Sequence, residues 1–237
     1  MAGSANGANG TIVRFSGASR AAHWALAVPF LTLLVTGLLL FVPSVKAVHI
    51  GGYRLVPLIH VLSGIVFVLA APAVWLAAPG RRLLRADLRR LLTARAGDLA
   101  WLRYAGYALL GAKLAAPATG KFNAGQKLNT AALLLLSLGL GLSGAILGVN
   151  FFTKAVFGSA FVERVFPLHD LFMLLSLPLI AGHIYLAAIN PGTRPSLRSM
   201  FDGRVRRDWA LSHHAIWVRE LGASGEASPP DGSVART

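Results

Sequence analysis

The chain of 237 residues contains no cysteine. That excludes a disulfide framework and a thiolate-held iron–sulfur cluster or zinc. It also excludes a Cys-x-x-Cys-His attachment of c-type haem and a cysteine nucleophile. Acidic residues are scarce as well: nine Asp and Glu stand against 23 Lys and Arg, a net charge of +14. Only 14% of residues are charged, against roughly 25% in a soluble globular domain. The rest is apolar, with 55% hydrophobic residues and a mean hydropathy of +0.61. A nucleic-acid binder would carry its basic residues on a soluble fold, so no nucleic-acid partner is expected. The composition predicts a polytopic membrane protein. Any redox chemistry would need a non-covalent cofactor held by ligands other than sulfur.

Residues 24–45, 55–80, 128–153 and 171–193 contain no Asp, Glu, Lys or Arg. About 20 apolar residues at 1.5 Å each cross the hydrocarbon. The runs therefore predict an all-α membrane protein, a four-helix transmembrane bundle with spans near 24–43, 56–78, 128–150 and 168–190. A fifth apolar stretch, 99–118, carries Arg103 and Lys113 and reads as a surface or interfacial helix. The basic 79–127 connection could contact anionic lipid head groups, although a solvated loop is the simpler reading. Lys and Arg divide 19 to 4 between the two sides of this topology. By the positive-inside rule both termini and the long second loop are cytoplasmic. Residues 1–222 form the expected membrane domain. The Gly/Ala/Asn-rich start does not read as a signal peptide, and residues 223–237 read as a disordered tail.

Seven histidines occur, and four sit in or at the edge of spans: His23, His60, His169 and His183. An ionisable residue within the membrane is a functional candidate by default. The topology places His23 and His183 in the inner leaflet and His60 and His169 in the outer one. His169 and His183 are 14 residues apart, close to four helical turns, so both point to one side of the last span, about 21 Å apart along its axis. Two haems stacked across the bilayer, each ligated by two imidazoles, would need this geometry. A proton path or a metal site remains open on spacing alone. His49 is expected to be solvated, and His213 and His214 to serve a surface or interface rather than ligation.

Gly37, Gly64, Gly139, Gly141, Gly144, Gly148 and Gly182 lie inside the apolar runs. They would let a flat macrocycle or a neighbouring helix approach the backbone. Residues 139–144, GLGLSG, match a dinucleotide-binding pattern by letter, but they follow no strand, and that reading is rejected. Pro72 and Pro178 are expected to kink their helices. The third span has no histidine but is preceded by GKFNAGQKLNT, residues 120–130. Asn123 and Gln126 fall on neighbouring positions if the segment is helical. Their amides could hydrogen-bond a quinone carbonyl, or they could cap the helix beside snorkelling Lys121 and Lys127.

From IVRFSGASRAAHW (12–24) to RVRRDWALSHHAIWVREL (204–221), the sequence resembles the cytochrome b (gamma) subunit of membrane-bound respiratory formate dehydrogenase. GKFNAGQK, the His169/His183 spacing and the His213-His214 pair followed by Trp217 and Arg219 carry the resemblance most specifically. It implies two b haems, the inner one on His23 and His183 and the outer one on His60 and His169. It implies menaquinone or ubiquinone at Asn123 and Gln126. The implied partners are an iron–sulfur (beta) subunit and a molybdenum- or tungsten-containing catalytic (alpha) subunit that oxidises formate. The cytochrome b of a nickel–iron hydrogenase or thiosulfate reductase is the nearest alternative. A transporter or proton channel, or a passive membrane anchor, would carry no haem.

Overall fold

The computed structural model describes residues 10–77, 81–153 and 156–223. Residues 1–9 and the tail from 224 onward, where mobile or disordered chain was expected, lie outside the described residues. In chain order the elements are β1 (Thr11–Val13), α1 (Gly17–Leu39), α2 (Pro43–Lys46), β2 (His49–Ile50), β3 (Tyr53–Arg54) and α3 (Leu55–Ala77). There follow α4 (Arg81–Leu92), α5 (Ala96–Leu109), α6 (Ala124–Thr153) and α7 (Ser159–Ile184). A π-helical turn (Tyr185–Ile189), a 3-10 helix (Arg194–Met200), β4 (Arg204–Arg206), α8 (Arg207–His213) and α9 (Ala215–Ala223) complete the chain. Four helices, α1, α3, α6 and α7 with its π turn, are long and apolar enough to cross a membrane. In hydrocarbon a helix satisfies every backbone group within itself, and their Leu/Val/Ala surfaces are largely exposed in the protein alone, as lipid-facing surfaces are.

The four predicted spans are therefore present, but their ends differ. α1 begins at Gly17 and takes in Arg20, and α7 begins at Ser159 and takes in Glu163, Arg164 and Asp170. Charge ends the hydrophobic run without ending the helix, because long side chains near a helix end can reach the interface. α6 has 30 residues, about 45 Å at 1.5 Å per residue.

The chain divides into two compact units, one comprising 17–84 and 131–184, the other 1–16, 85–130 and 185–237. In the first unit α1 and α3 make the most extensive contact, with Phe30 against Phe67 and Leu33 over Gly64. α3 meets α6 through Val61 over Gly148 and Val68 over Gly141. α6 meets α7 where Phe172 lies against Gly139, so closely that a Cβ there would stand 2.7 Å from the ring. Six of the seven glycines singled out thus serve helix approach at the positions just named or, at Gly37 and Gly144, contact a histidine. Gly182 faces nothing within 4 Å. GLGLSG is continuous α-helix, which disposes of the dinucleotide pattern. β2 and β3 form a hairpin, with His49 opposite Arg54. Its turn needs Gly51 and Gly52, whose φ values of 55° and 82° suit a two-residue turn with positive φ at both positions.

In the second unit β1 pairs antiparallel with β4, Ile12 opposite Val205. Val205, Ala210, Trp217 and Val218 form its apolar core, flanked by Ile12, Trp209 and Leu221. The 79–127 connection is not a plain loop. It contains α4 and α5, and the stretch predicted as one interfacial helix over 99–118 is helical only to Leu109. Gly111, at φ 87°, turns the chain out of the helix where a residue with a Cβ would be strained.

Candidate functional site

α1 presents His23, α3 presents His60, and α7 presents His169 and His183. The fold brings them together as two pairs. The rings of His23 and His183 have centroids 6.2 Å apart, and those of His60 and His169 6.3 Å apart. An imidazole nitrogen lies about 1.1 Å from its ring centroid and about 2 Å from a first-row metal it ligates. Two rings on opposite sides of one iron would therefore have centroids about 6.2 Å apart. Both pairs have the spacing of a bis-imidazole axial set. Among the described residues no group of three or more His, Asp or Glu is placed to hold a metal ion. Two imidazoles per site are too few for an ordinary zinc site and are the complement that haem iron, already held by its macrocycle, takes from protein. The residues present fit b haem at both pairs.

Two side chains not anticipated from the sequence hold the His60/His169 pair. Thr36 Oγ1 of α1 lies 2.8 Å from His60 Nδ1, and Ser143 Oγ of α6 lies 2.8 Å from His169 Nδ1. Each hydroxyl also donates to its own helix, Thr36 to the Thr32 carbonyl at 2.7 Å and Ser143 to the Gly139 carbonyl at 2.7 Å. With its proton directed there, each oxygen accepts from Nδ1–H. That fixes the tautomer that leaves Nε2 with its lone pair for a metal. The next residue is glycine in both cases. A Cβ on Gly37 would stand 3.3 Å from His60 Cε1, and one on Gly144 3.3 Å from His169 Cε1. A hydroxyl–glycine pair thus clasps each ring against a helix backbone. Thr-Gly and Ser-Gly inside aliphatic runs were the available signal. Among the described residues the His23/His183 pair has no such clasp, and His23 Nδ1 is buried without a hydrogen-bond partner.

Asn123 and Gln126 sit at the start of α6 and bond reciprocally. The Asn123 side-chain oxygen accepts from the Gln126 amide at 2.9 Å, and the Gln126 side-chain oxygen accepts from the Asn123 amide at 3.0 Å. This is a capping box built from amides. It occupies both side-chain oxygens and leaves both side-chain NH2 groups as donors. Lys121 and Lys127 do not snorkel. Lys121 is buried and ion-paired with Asp87 of α4, and Lys127 bonds Asp98 of α5 at 2.7 Å. A carboxylate within reach of each ammonium favours internal pairing over solvent.

His213 is exposed, as expected, and stacks on Trp209 at 4.5 Å. His214 is not a surface residue: it is 2% exposed. Its Nδ1 lies 2.8 Å from the Gly120 carbonyl and its Nε2 3.1 Å from the Arg14 guanidinium. Arg14 is also buried, donates to the Lys121 carbonyl at 3.3 Å, and lies over the Phe15 and Trp209 rings. Burial, then the neighbouring Arg14 charge, pushes His214 down to about 3. Burial pushes Arg14 down to about 10 against the pull of Asp87, so His214 is neutral and Arg14 charged at pH 7. With both nitrogens engaged, His214 is a structural keystone and not a ligand.

The sequence pattern of the prokaryotic cytochrome b561 family matches residues 14–203. The chain is also similar to cytochrome subunits of formate dehydrogenases. It is 25% identical to the nitrate-inducible formate dehydrogenase cytochrome b556(Fdn) subunit of Escherichia coli K12, over 89% of this chain and 91% of the relative. It is 26% identical to the cytochrome b556(fdo) subunit of the same organism, over 89% and 93%. To the formate dehydrogenase cytochrome b556 subunit of Haemophilus influenzae it is 28% identical, over 88% and 83%. A match across most of the chain, on a fold with four apolar spans and two facing histidine pairs, makes this multi-pass membrane protein a member of the prokaryotic cytochrome b561 family, for which b haem is the implied cofactor.

Proposed function

We propose that the chain is the di-haem cytochrome b subunit of a formate dehydrogenase in a bacterial inner membrane. The observation that carries this reading is the pair of histidine couples, 6.2 and 6.3 Å between centroids. The formate dehydrogenase names of relatives aligned over almost nine-tenths of the chain support formate dehydrogenase as the partner. His60 and His169 hold the outer b haem, and His23 and His183 the inner one. Bound there, the two haems supply one-electron carriage between an iron–sulfur subunit outside and a membrane quinone inside. Formate oxidation belongs to the molybdenum- or tungsten-containing subunit beyond the iron–sulfur protein.

The chain's own contribution is ligation, spacing and orientation. α7 alone fixes the vertical spacing of the sites, because His169 and His183 are 14 residues apart on one helix, about 21 Å by helix rise. The side-chain NH2 groups of Asn123 and Gln126 donate to a quinone carbonyl, menaquinone or ubiquinone. The 19-to-4 division of basic residues supports cytoplasmic termini and with them a quinone site on the proton-supplying side. Taking electrons outside and protons inside conserves energy, since one charge moved across 100 mV is worth about 2.3 kcal/mol.

Membranes carrying the protein with its native partners test this reading when given formate, hydrogen or thiosulfate in turn. Formate should reduce the b-type absorbance and drive quinone reduction. Reduction by hydrogen alone would transfer the chain to a nickel–iron hydrogenase, and exchange with thiosulfate alone to a thiosulfate reductase.

A further inference from the structure

The two histidine pairs are not equivalent, and the difference lies in what holds Nδ1. His60 and His169 each place Nδ1 2.8 Å from a helix hydroxyl whose own proton goes to a backbone carbonyl four residues earlier. The arrangement occurs twice, on different helices, each time followed by a glycine that admits the ring edge carrying Cε1. In the inner pair His23 Nδ1 is buried and meets no partner among the described residues.

An imidazole that donates its Nδ1 proton to a good acceptor gains basicity at Nε2, and a more basic axial ligand favours the ferric over the ferrous state. A hydroxyl already donating to a helix carbonyl is polarised into a better acceptor. Two such acceptors act on the outer site, one per ligand. Simple packing would not need the hydroxyls: valine and alanine fill similar space and suit an apolar helix better, since a serine or threonine that bonds back to its own helix is mildly unfavourable there.

We infer that Thr36 and Ser143 are positioning residues that hold the outer site at a lower reduction potential than the inner one, by accepting the Nδ1 protons of His60 and His169. The inference rests on the two-haem reading above. It orders the sites so that the inner one is the stronger electron acceptor.

The test is a spectroelectrochemical titration of the purified, haem-loaded protein, preceded by a pyridine haemochrome count of haem per chain. Fewer than two haems in the wild type would overturn the two-haem reading itself, whatever the titration gave. With two present, Thr36→Val and Ser143→Ala should each raise the lower midpoint, and the double variant should raise it further. The higher midpoint should stay in place. The midpoint that moves should be the one that disappears in His60→Ala. Thr36→Ser and Ser143→Thr keep an acceptor oxygen and should titrate as wild type. Midpoints unmoved in Thr36→Val and Ser143→Ala with both haems retained would overturn the inference, as would equal movement of both. If Thr36→Val or Ser143→Ala loses the outer haem, the conservative variants decide: wild-type haem content and midpoints support the hydrogen bond, and loss of haem in them too overturns it.

Discussion

Histidines held by hydrogen bonds occur in both compact units, and they are held differently. His214 sits among Arg14, Thr119 and Gly120 with both ring nitrogens hydrogen-bonded. His60 and His169 have one nitrogen, Nδ1, held by a hydroxyl. A polar neighbour at Nδ1 is common to both, so it does not by itself identify a metal ligand. What separates them is completeness. An imidazole whose two nitrogens are satisfied by protein is part of the framework, whereas one oriented at Nδ1, with a second imidazole 6.3 Å away, is the kind the proposed haem site calls for.

The largest effect that can break this contrast is loss of cofactor. His60→Ala and His183→Ala should each remove one of two haems, halving the b-type absorbance per chain, while His214→Ala should leave the haem count unchanged. Retention of both haems in His60→Ala and His183→Ala would end the ligand assignment. Next comes the buried ion pair beside Arg14. Asp87→Asn leaves Lys121 charged and 9% exposed, and breaking such a pair costs about 3–5 kcal/mol. Thermal unfolding of the detergent-solubilised protein should show the loss, with haem retained below the new midpoint.

A pH series sharpens the framework side. The folded-state value of His214, about 3, lies below its unfolded value of about 6.5. The unfolded state therefore binds the proton first. The contribution of His214 is fully present above pH 6.5 and falls away as pH drops from 6.5 toward 3. His214→Gln should flatten the decline of melting temperature over that window, and an unchanged slope would contradict the account. The smallest structural effect is expected at Gln126→Ala, which removes half of the capping box at α6, worth about 1 kcal/mol. That variant should slow quinone reduction while haem reduction by the partner continues, and unchanged quinone turnover would count against the amide pair.

Much of the membrane unit was legible in the sequence because its physics is local. Uncharged runs mark spans, and a 14-residue spacing puts His169 and His183 on one side of one helix. The helix ends were misplaced at Arg20 and Glu163 because charge marks the edge of the hydrocarbon and not the end of the hydrogen-bonded ladder. Thr36 and Ser143 were missed because a hydroxyl in an apolar run is normally absorbed by its own helix. Only the partner helix reveals the second hydrogen bond. The burial of His214 was hidden for a different reason. It depends on Arg14, 200 residues away, and on β1 pairing with β4, contacts that no local pattern announces. Lys121 and Lys127 were likewise read as snorkelling because Asp87 lies on α4, a helix not expected in the second loop, and Asp98 on the first turn of α5, just before the stretch expected to be helical.

The most direct measurement of the central claim is the haem content of the purified chain, from a reduced-minus-oxidised spectrum calibrated against protein concentration. Two facing histidine pairs predict two b-type haems per chain, both lost only when both pairs are broken. A preparation with intact fold and one b haem or none would contradict it.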